Sequence, residues 1–384
     1  MYQTTIASLD DLKKMRDAWN ALLLKMDFPT VFLAWEWIDT WWEYFGGEGR
    51  ELVILTVTDQ GVLKGILPLY AAHAVFRHHW LTGRVLTFCT SEDLYPDHLD
   101  IISAPEDSAA CLDSVFRFLS SKHLGWDVMR VPMVTETSRL AGWLKQGAVR
   151  SLGLDFDLEP ASIAPYISLN GVFEDYLGRF DSKQRYNIRS RKKKLYDQRG
   201  FYYAACKPDS VECLHNVFDL HHRRAQRKKY KSTFTDSRIL AFHESLARRI
   251  ADRGWISLRT IRKDSEVIAA SYNFDISGRN LSYQKGIDPA WERFSPGKVL
   301  MYELIQEAYA KGLREYNFLQ GNESYKRMWA KEYRTLFNSN VYNSTFLGSV
   351  ARNSYRLKRA LKKRLRPRSD LMEERDAPHD HSDG

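Results

Sequence analysis

Cysteine is scarce in this sequence. Four residues, Cys89, Cys111, Cys206 and Cys213, are spread through 384 positions, and even the nearest two have six residues between them. That spacing excludes a metal-ligand set, and the four read as buried thiols of a reducing compartment. Long hydrophobic runs are missing too, since no stretch approaches the ~18 uninterrupted apolar residues of a spanning helix. The opening "MYQTTIASLDDLKKMRDAWNALL" carries acids early and lacks the apolar centre of a signal peptide. Together these absences predict a cytoplasmic protein.

What is present is a chain made to fold. It is 44% hydrophobic and 13% aromatic, enough apolar material for two domains of ordinary size. Lys and Arg number 57 against 48 Asp and Glu, a formal charge of +9. Such a balance draws phosphates, nucleic acid or an anionic membrane surface, and its sign alone does not choose among them.

Two halves of the sequence echo each other. The first opens with an amphipathic helix predicted near Asp10 to Leu24, followed by "FLAWEWIDTWWEYFGG", where Trp35, Ile38, Trp41, Trp42 and Phe45 recur at helical spacing and read as a buried face. Next, "ELVILTVTDQGVLKGILPLYAA" alternates on both sides of "TDQG", the pattern of a hairpin. "WISLRTIRKDSEVIAASYNFD" is built alike: a shift of 205 residues carries Asp59, Val62, Leu63 and Gly65 onto Asp264, Val267, Ile268 and Ala270. After each hairpin come a strand, a helix and a strand, "RVLTFCTS", "EDSAACLDSVFRFLSSKH" and "WDVMRVP" in one half, "NLSYQKGID", "SPGKVLMYELIQEAYAKG" and "REYNFLQG" in the other. A repeated order of this length argues for a duplicated α/β unit. "LEPASIAPYISLNG", with its two prolines, reads as the crossing segment between units. Past Leu347 a basic helix-like run, "ARNSYRLKRALKKRLRPRS", gives way to "DLMEERDAPHDHSDG", which is acidic and predicted to be disordered. The predicted division is therefore 1–160, 161–346 and 347–384.

One helix start stands out. In "RFSPGK", Ser295 is a natural N-cap, Pro296 fits the first helical position, and Gly297 removes a side chain where an anion would approach. Arg293 and Lys298 add charge on either side. Unpaired N–H groups and the partial positive charge of a helix start suit a phosphate.

In this order the stretch resembles the pyrophosphate loop of the GNAT superfamily of acyl-CoA-dependent transferases, where a strand ends, a glycine-rich turn follows and a helix N-terminus holds the coenzyme A diphosphate. Here the turn has one glycine instead of two or three. With "YNFLQGNESYK", Trp329, "YPDHLD", "SKQRYNIRSRKKKL" and the tryptophan-rich segment, residues 28–345 are similar to the double-GNAT proteins of FemAB and CelD-like type. The resemblance implies an α/β (α+β) fold of two tandem GNAT-like units, each a mixed, mostly antiparallel twisted sheet flanked by helices. It implies an N- or O-acyltransferase, acetyl being the simplest group, that acts on an envelope or exopolysaccharide precursor. Acetyl-CoA or another acyl-CoA would be the co-substrate, with no metal and no DNA partner. By the same resemblance Tyr283, Lys285 and Ile287 lie on the strand facing the pantetheine arm. Arg293, Ser295, Gly297 and Lys298 would surround the diphosphate, and Tyr325 would protonate the departing thiolate. The first half's helix opens with the acids of "SAPEDSAAC", which would repel a diphosphate, so one donor site, in the second half, is expected.

The acceptor side is less defined. Asp97, His98 and Asp100 in "YPDHLD" form a polar cluster that either lines the acceptor site or serves ordinary turn chemistry. Asn322 and Glu323 are alternatives for a base, or the acceptor amine arrives deprotonated. "SKQRYNIRSRKKKL" aligns Arg185, Arg189 and Lys192 on one stripe, with Arg191 among the cations around it, and "HHRRAQRKKYK" adds six more. Such runs are either solvated faces or an electropositive wall for the coenzyme's 3′-phosphate or a sugar-phosphate acceptor, for which Arg185 and Arg189 are the candidates. The nine cations from Arg352 to Arg368, with Leu357, Leu361 and Leu365 on one edge, suit peripheral contact with an anionic inner membrane at ~1 kcal/mol per cation. Two further readings stay open. FemAB-type relatives use aminoacyl-tRNA as donor, and a degenerate double GNAT could serve as a scaffold, which the thin glycine content of the loop favours.

Overall fold

The computed structural model describes residues 1–47, 49–75, 82–121, 124–229 and 232–365, with side chains as far as residue 361. In the first half β1 (Gln3–Ala7), α1 (Leu9–Lys14), α2 (Arg16–Leu23) and α3 (Trp35–Phe45) lead into the hairpin β2 (Arg50–Asp59) and β3 (Val62–Val75). β4 (Thr82–Phe88), β5 (Ile102–Ser103), α4 (Ser108–Ser120) and β6 (Val128–Thr135) follow, then α5 (Arg139–Lys145), α6 (Ala148–Ser151) and β7 (Asp155–Ser168). The second half begins with α7 (Phe173–Gly178), α8 (Ser182–Tyr196), β8 (Phe201–Ala205), α9 (Val211–Lys228) and α10 (Ser237–Ile250). Its hairpin is β9 (Ile256–Lys263) and β10 (Glu266–Ile276), followed by β11 (Arg279–Ile287), α11 (Pro296–Ala310) and β12 (Glu315–Asn317). α12 (Ser324–Trp329), β13 (Glu332–Tyr342) and α13 (Phe346–Leu365) close the described chain. The helix predicted over Asp10–Leu24 is two, because Met15 leaves helical geometry (φ −90°, ψ 2°) and ends α1 with a bond to Leu12 O.

All these strands join one sheet in the order β1-β2-β3-β4-β6-β13-β7-β12-β11-β10-β9-β8, with β5 pairing off this path to β3. Read from either end the order repeats, so the duplicated unit is visible in the topology. Among the described residues only β4–β6 and β11–β12 are parallel. Each parallel pair is bridged by a helix, α4 or α11, as a parallel connection requires. The final strands are exchanged: β7 pairs with β12 of the second half, and β13 pairs with β6 of the first. β7 and β13 then pair with each other along their lengths.

The predicted seam at 160/161 therefore lies inside β7, at the centre of the sheet. "LEPASIAPYIS" is strand, not crossing loop, in spite of Pro160 and Pro165. The β12 ladder ends at Tyr166, beside Pro165, which serves there as an acceptor for Phe318 N–H, and the β13 ladder shifts register beside Pro160. Those are places where a missing N–H costs little.

Burial explains the aromatic content. Trp19, Trp37 and Trp41 are almost fully buried with Phe242, Tyr272 and Phe274 in a core shared by both halves. A second cluster, with Phe173, Tyr176, Leu195, Val299, Ile305 and Trp329, lies between the sheet and α7, α8 and α11.

Two sequence expectations are corrected. Cys206 and Cys213 form a disulfide, while Cys89 and Cys111 are free and buried, so the thiol reading holds for two of the four. The turn between β8 and α9, whose Ser210 caps Cys213 N–H, brings the pair's Cα atoms to 6.5 Å. The basic tail is helical, but Arg352 and Arg356 pair with Asp155 and Arg359 with Glu159 of β7, so these cations dock the helix. The predicted disorder of "DLMEERDAPHDHSDG" lies outside the described residues. No described helix is long and apolar enough to cross a membrane.

Candidate functional site

β11 and β12 run side by side only where Arg279–Leu281 face Glu315–Asn317. Beyond that point β11 continues along β10, whereas the chain after β12 bends to β7, with Phe318 N–H donating to Pro165 O and Gly321 N–H to Ile163 O, both at 2.9 Å. A V-shaped gap opens between them. At this level β11 slips register against β10 between Tyr272 and Phe274. A bulge changes the alternation of faces, and Lys285 comes to the same side as Ser282.

Lys285 Nζ donates to Ser282 Oγ at 2.8 Å, and Tyr316 OH lies 3.1 Å from the same oxygen. The rings of Tyr325 and Phe318 flank the ammonium at 5.4 and 5.8 Å. Among the described residues no carboxylate forms an ion pair with it. Burial, with the like charges of Lys326 and Arg224, lowers the Lys285 ammonium to about 7, while Glu323 opposes the shift. Burial, and next Glu323, pushes the Tyr325 phenol well above its ordinary value. Lys326 donates to Gln320 O at 2.5 Å and pairs with Glu323 at 3.2 Å, so Glu323 is already engaged. Tyr283 faces the other way, its hydroxyl on Leu94 O at 2.8 Å within the shared core.

At the far end of β11 lies the start of α11. Pro296 is the first helical residue, as expected, but Ser295 is left-handed (φ 53°) and makes no side-chain cap. Its hydroxyl accepts from Arg191 instead. A Cβ on Gly297 would strike Ile287 Cδ1, so the missing side chain serves helix–strand contact and not open space. Gly286 does the same on the other face, where a Cβ would come within 2.6 Å of Val217 O of α9. Arg191, Arg293 and Lys298 surround this helix start without a carboxylate partner among the described residues. Burial and then Arg191 lower the Lys298 ammonium. Cations crowded at a helix N-terminus with no acid to balance them fit a bound diphosphate.

The remaining candidates are spread over the fold. Asp97 and His98 are buried under the gap: His98 Nδ1 is 2.8 Å from Asp97 Oδ1, and Asp97 Oδ2 accepts Gln320 N–H at 2.6 Å. His98 stacks on Phe28 at 4.2 Å and approaches Asn317 Nδ2 at 3.4 Å. The pair thus ties the first half to the turn that carries Tyr325. Asp100 is apart, accepting Ile101, Arg139 and Leu140 N–H at the start of α5. Arg185 donates to Gly178 O and Phe180 O behind α7, and Arg189 pairs with Glu174.

Two residues near the gap were not singled out from sequence. Arg191 sits off the stripe that periodicity selects, and its contact with Ser295 spans 104 residues. Arg224 lies within the second basic run, where Arg223 and Arg227 pair with Asp288 and Glu292 and Arg224 has no partner among the described residues. Tyr230 and Lys231 of that run are outside the described residues. No group of His, Cys, Asp or Glu among the described residues could hold a metal.

This architecture is a two-unit GNAT-like fold, mixed α/β with a mostly antiparallel twisted sheet. Residues 182–327, which include the gap and the α11 start, match the model of the acetyltransferase (GNAT) domain. The structure is similar to the crystal structure of FemX, with a TM-score of 0.61 and 11% identity over 92% of this chain and 99% of that one. It is also similar to the C-terminal domain of a putative lysylphosphatidylglycerol synthetase from Agrobacterium fabrum, with a TM-score of 0.50, 9% identity and coverage of 90% and 96%. A conserved protein of unknown function from Bacteroides thetaiotaomicron gives a TM-score of 0.52 at 11% identity, over 90% of this chain and all of that one. No curated protein matches the sequence.

Proposed function

We propose that the protein is an acyl-CoA-dependent N- or O-acyltransferase, acetyl-CoA being the simplest donor, that acts on an amine or hydroxyl of an envelope or exopolysaccharide precursor. The observation that carries the donor assignment is the set of cations without a carboxylate partner among the described residues, Arg191, Arg293 and Lys298, at the start of α11 beyond the far end of β11. In this reading they hold the donor's diphosphate together with the Gly297 N–H, since Pro296 has no N–H and that of Lys298 is bonded to Ser295 O. The β11 backbone up to Ile287 aligns the donor's arm in the gap. A bound thioester supplies an activated carbonyl. The chain supplies orientation and a route for the proton. Asp97 and His98 act as positioning residues, because they fix the turn before Tyr325. Asp100, Arg185, Arg189 and Glu323 remain candidates for the acceptor side, although each has protein partners. The reaction belongs to the cytoplasm, and the inner-membrane contact expected of the tail falls to exposed Leu357 and Leu361, since the neighbouring arginines are engaged.

The likeness to FemX and the cationic α9 favour a second reading, in which the donor is aminoacyl-tRNA. A thermal-shift series with coenzyme A, acetyl-CoA and longer acyl-CoAs separates the two. A ligand that binds only the folded chain raises its melting point, by ~2.7 kcal/mol of stability at a hundredfold excess over Kd. The acyl-CoA reading expects such a rise. No rise with any of them, with salt-sensitive binding of charged tRNA, would move the assignment to the second reading.

A further inference from the structure

A proton must travel during acyl transfer, and two groups flank the gap where it would travel. One is Tyr325, the other Lys285. Tyr325 remains a neutral phenol, a weaker acid than a thiol and unable to act as a base near neutrality. Lys285 differs in its surroundings. Its ammonium has a hydroxyl contact and aromatic walls instead of a carboxylate. Arg224 from α9 and Lys326 from α12 bring positive charge near it, Glu323 ahead of α12 brings negative charge, and Tyr316 on β12 shares its Ser282 contact. The bulge that turns Lys285 toward Ser282 exists at this level of β11, where the two parallel strands have parted.

We infer that Lys285, not Tyr325, is the proton-transfer group of the second half's gap. The inference rests on the acyl-CoA reading. Neutral Lys285 Nζ takes the proton from the acceptor's N–H or O–H as the acceptor's N–C or O–C bond to the acyl carbon forms. The C–S bond then breaks, and the Lys285 ammonium returns that proton to the sulfur, so that the lysine ends neutral and the products are the acylated acceptor and a free thiol. Ser282 and Tyr316 hold the amine in place throughout.

The test uses the full chain as wild type, Lys285→Met, Lys285→Arg and Tyr325→Phe. Coenzyme A binding by thermal shift comes first: no binding by the wild type defeats the donor reading itself. With binding intact, three readouts judge the lysine. The first needs no substrate. The folded-state titration lies below that of an unfolded lysine, so between pH 7 and 10 the unfolded chain holds more protons and stability climbs as pH rises. Wild type should therefore gain stability relative to Lys285→Met across that window, and a flat difference overturns the inference. The second is the rate of transfer, expected to fall about 100-fold or more in Lys285→Met and in Lys285→Arg, which keeps the charge but has no neutral form. The third is the pH profile, which should lose its limb near pH 7 in both lysine variants and keep it in Tyr325→Phe, with less than a tenfold fall in rate. Binding and rate retained in Lys285→Met, or a limb lost in Tyr325→Phe, would overturn the assignment.

Discussion

The two halves place the same crossover in opposite surroundings. In the first, β4 and β6 pair over Val85–Thr87 and Val128–Arg130 and then part, and the chain's own loop occupies the opening, with Leu99 N–H on Met133 O. α4 begins behind Glu106 and Asp107, and the Asp107 carboxylate is taken by Tyr2 OH and Lys64. In the second half the opening is flanked by Lys285 and Tyr325, and α11 begins among Arg191, Arg293 and Lys298. The backbone plan is common to both. The openings differ in loop and charge, and of the acids expected to disfavour the first, Asp107 is structurally committed there.

The comparison can be broken most severely by removing the strand that the halves share. A chain ended after Lys331 lacks β13, which pairs with both β6 and β7, and it should lose cooperative unfolding by circular dichroism. Ending the chain after Ser344 keeps β13 and should keep the transition. Next in size is a charge reversal at the second opening. Arg191→Glu with Lys298→Glu should weaken coenzyme A by about 100-fold or more, since hydrogen bonds to charged groups carry ~1.5–3 kcal/mol each. The reciprocal change Asp107→Lys should create no binding in the first half, because charge alone does not empty a filled opening. Gly297→Val pushes on Ile287 and should cost about tenfold in affinity by calorimetry, with the fold retained. The smallest expected effect sharpens the choice of arginine: Arg191→Ala should lower affinity several-fold, whereas Arg189→Ala, which only releases Glu174, should change it less than about twofold.

Much of this was legible in the sequence because it is local. Alternation around "TDQG" and the order of strand, helix and strand gave the repeated unit, and Ser-Pro-Gly marked the start of its helix α11. Lys285 was also reached, as a member of the strand beside the gap. What was not legible depends on partners distant along the chain. Periodicity selects Arg185 and Arg189, but the residue that meets Ser295 is Arg191, one position off their stripe. Two prolines suggested a loop where β7 needs no N–H at those positions, a fact fixed by the early end of the β12 ladder and the register shift of β13. Cys206 and Cys213 looked like separate thiols because only the turn before Ser210 joins them. Asp97 and His98 read as a polar cluster in a loop, lining the acceptor site or serving turn chemistry, and the burial of His98 against Phe28 and the contact of Asp97 with Gln320 across the two halves could not be read from it.

The exchange of β7 and β13 has a consequence for synthesis. Large proteins commonly fold domain by domain as they leave the ribosome, but here β6 waits with a bare flank until Glu332–Tyr342 has been translated. An exposed strand edge is a site of mispairing. The nascent amino-terminal portion therefore needs protection until β13 has been made, and a gene encoding either portion alone would yield an open sheet.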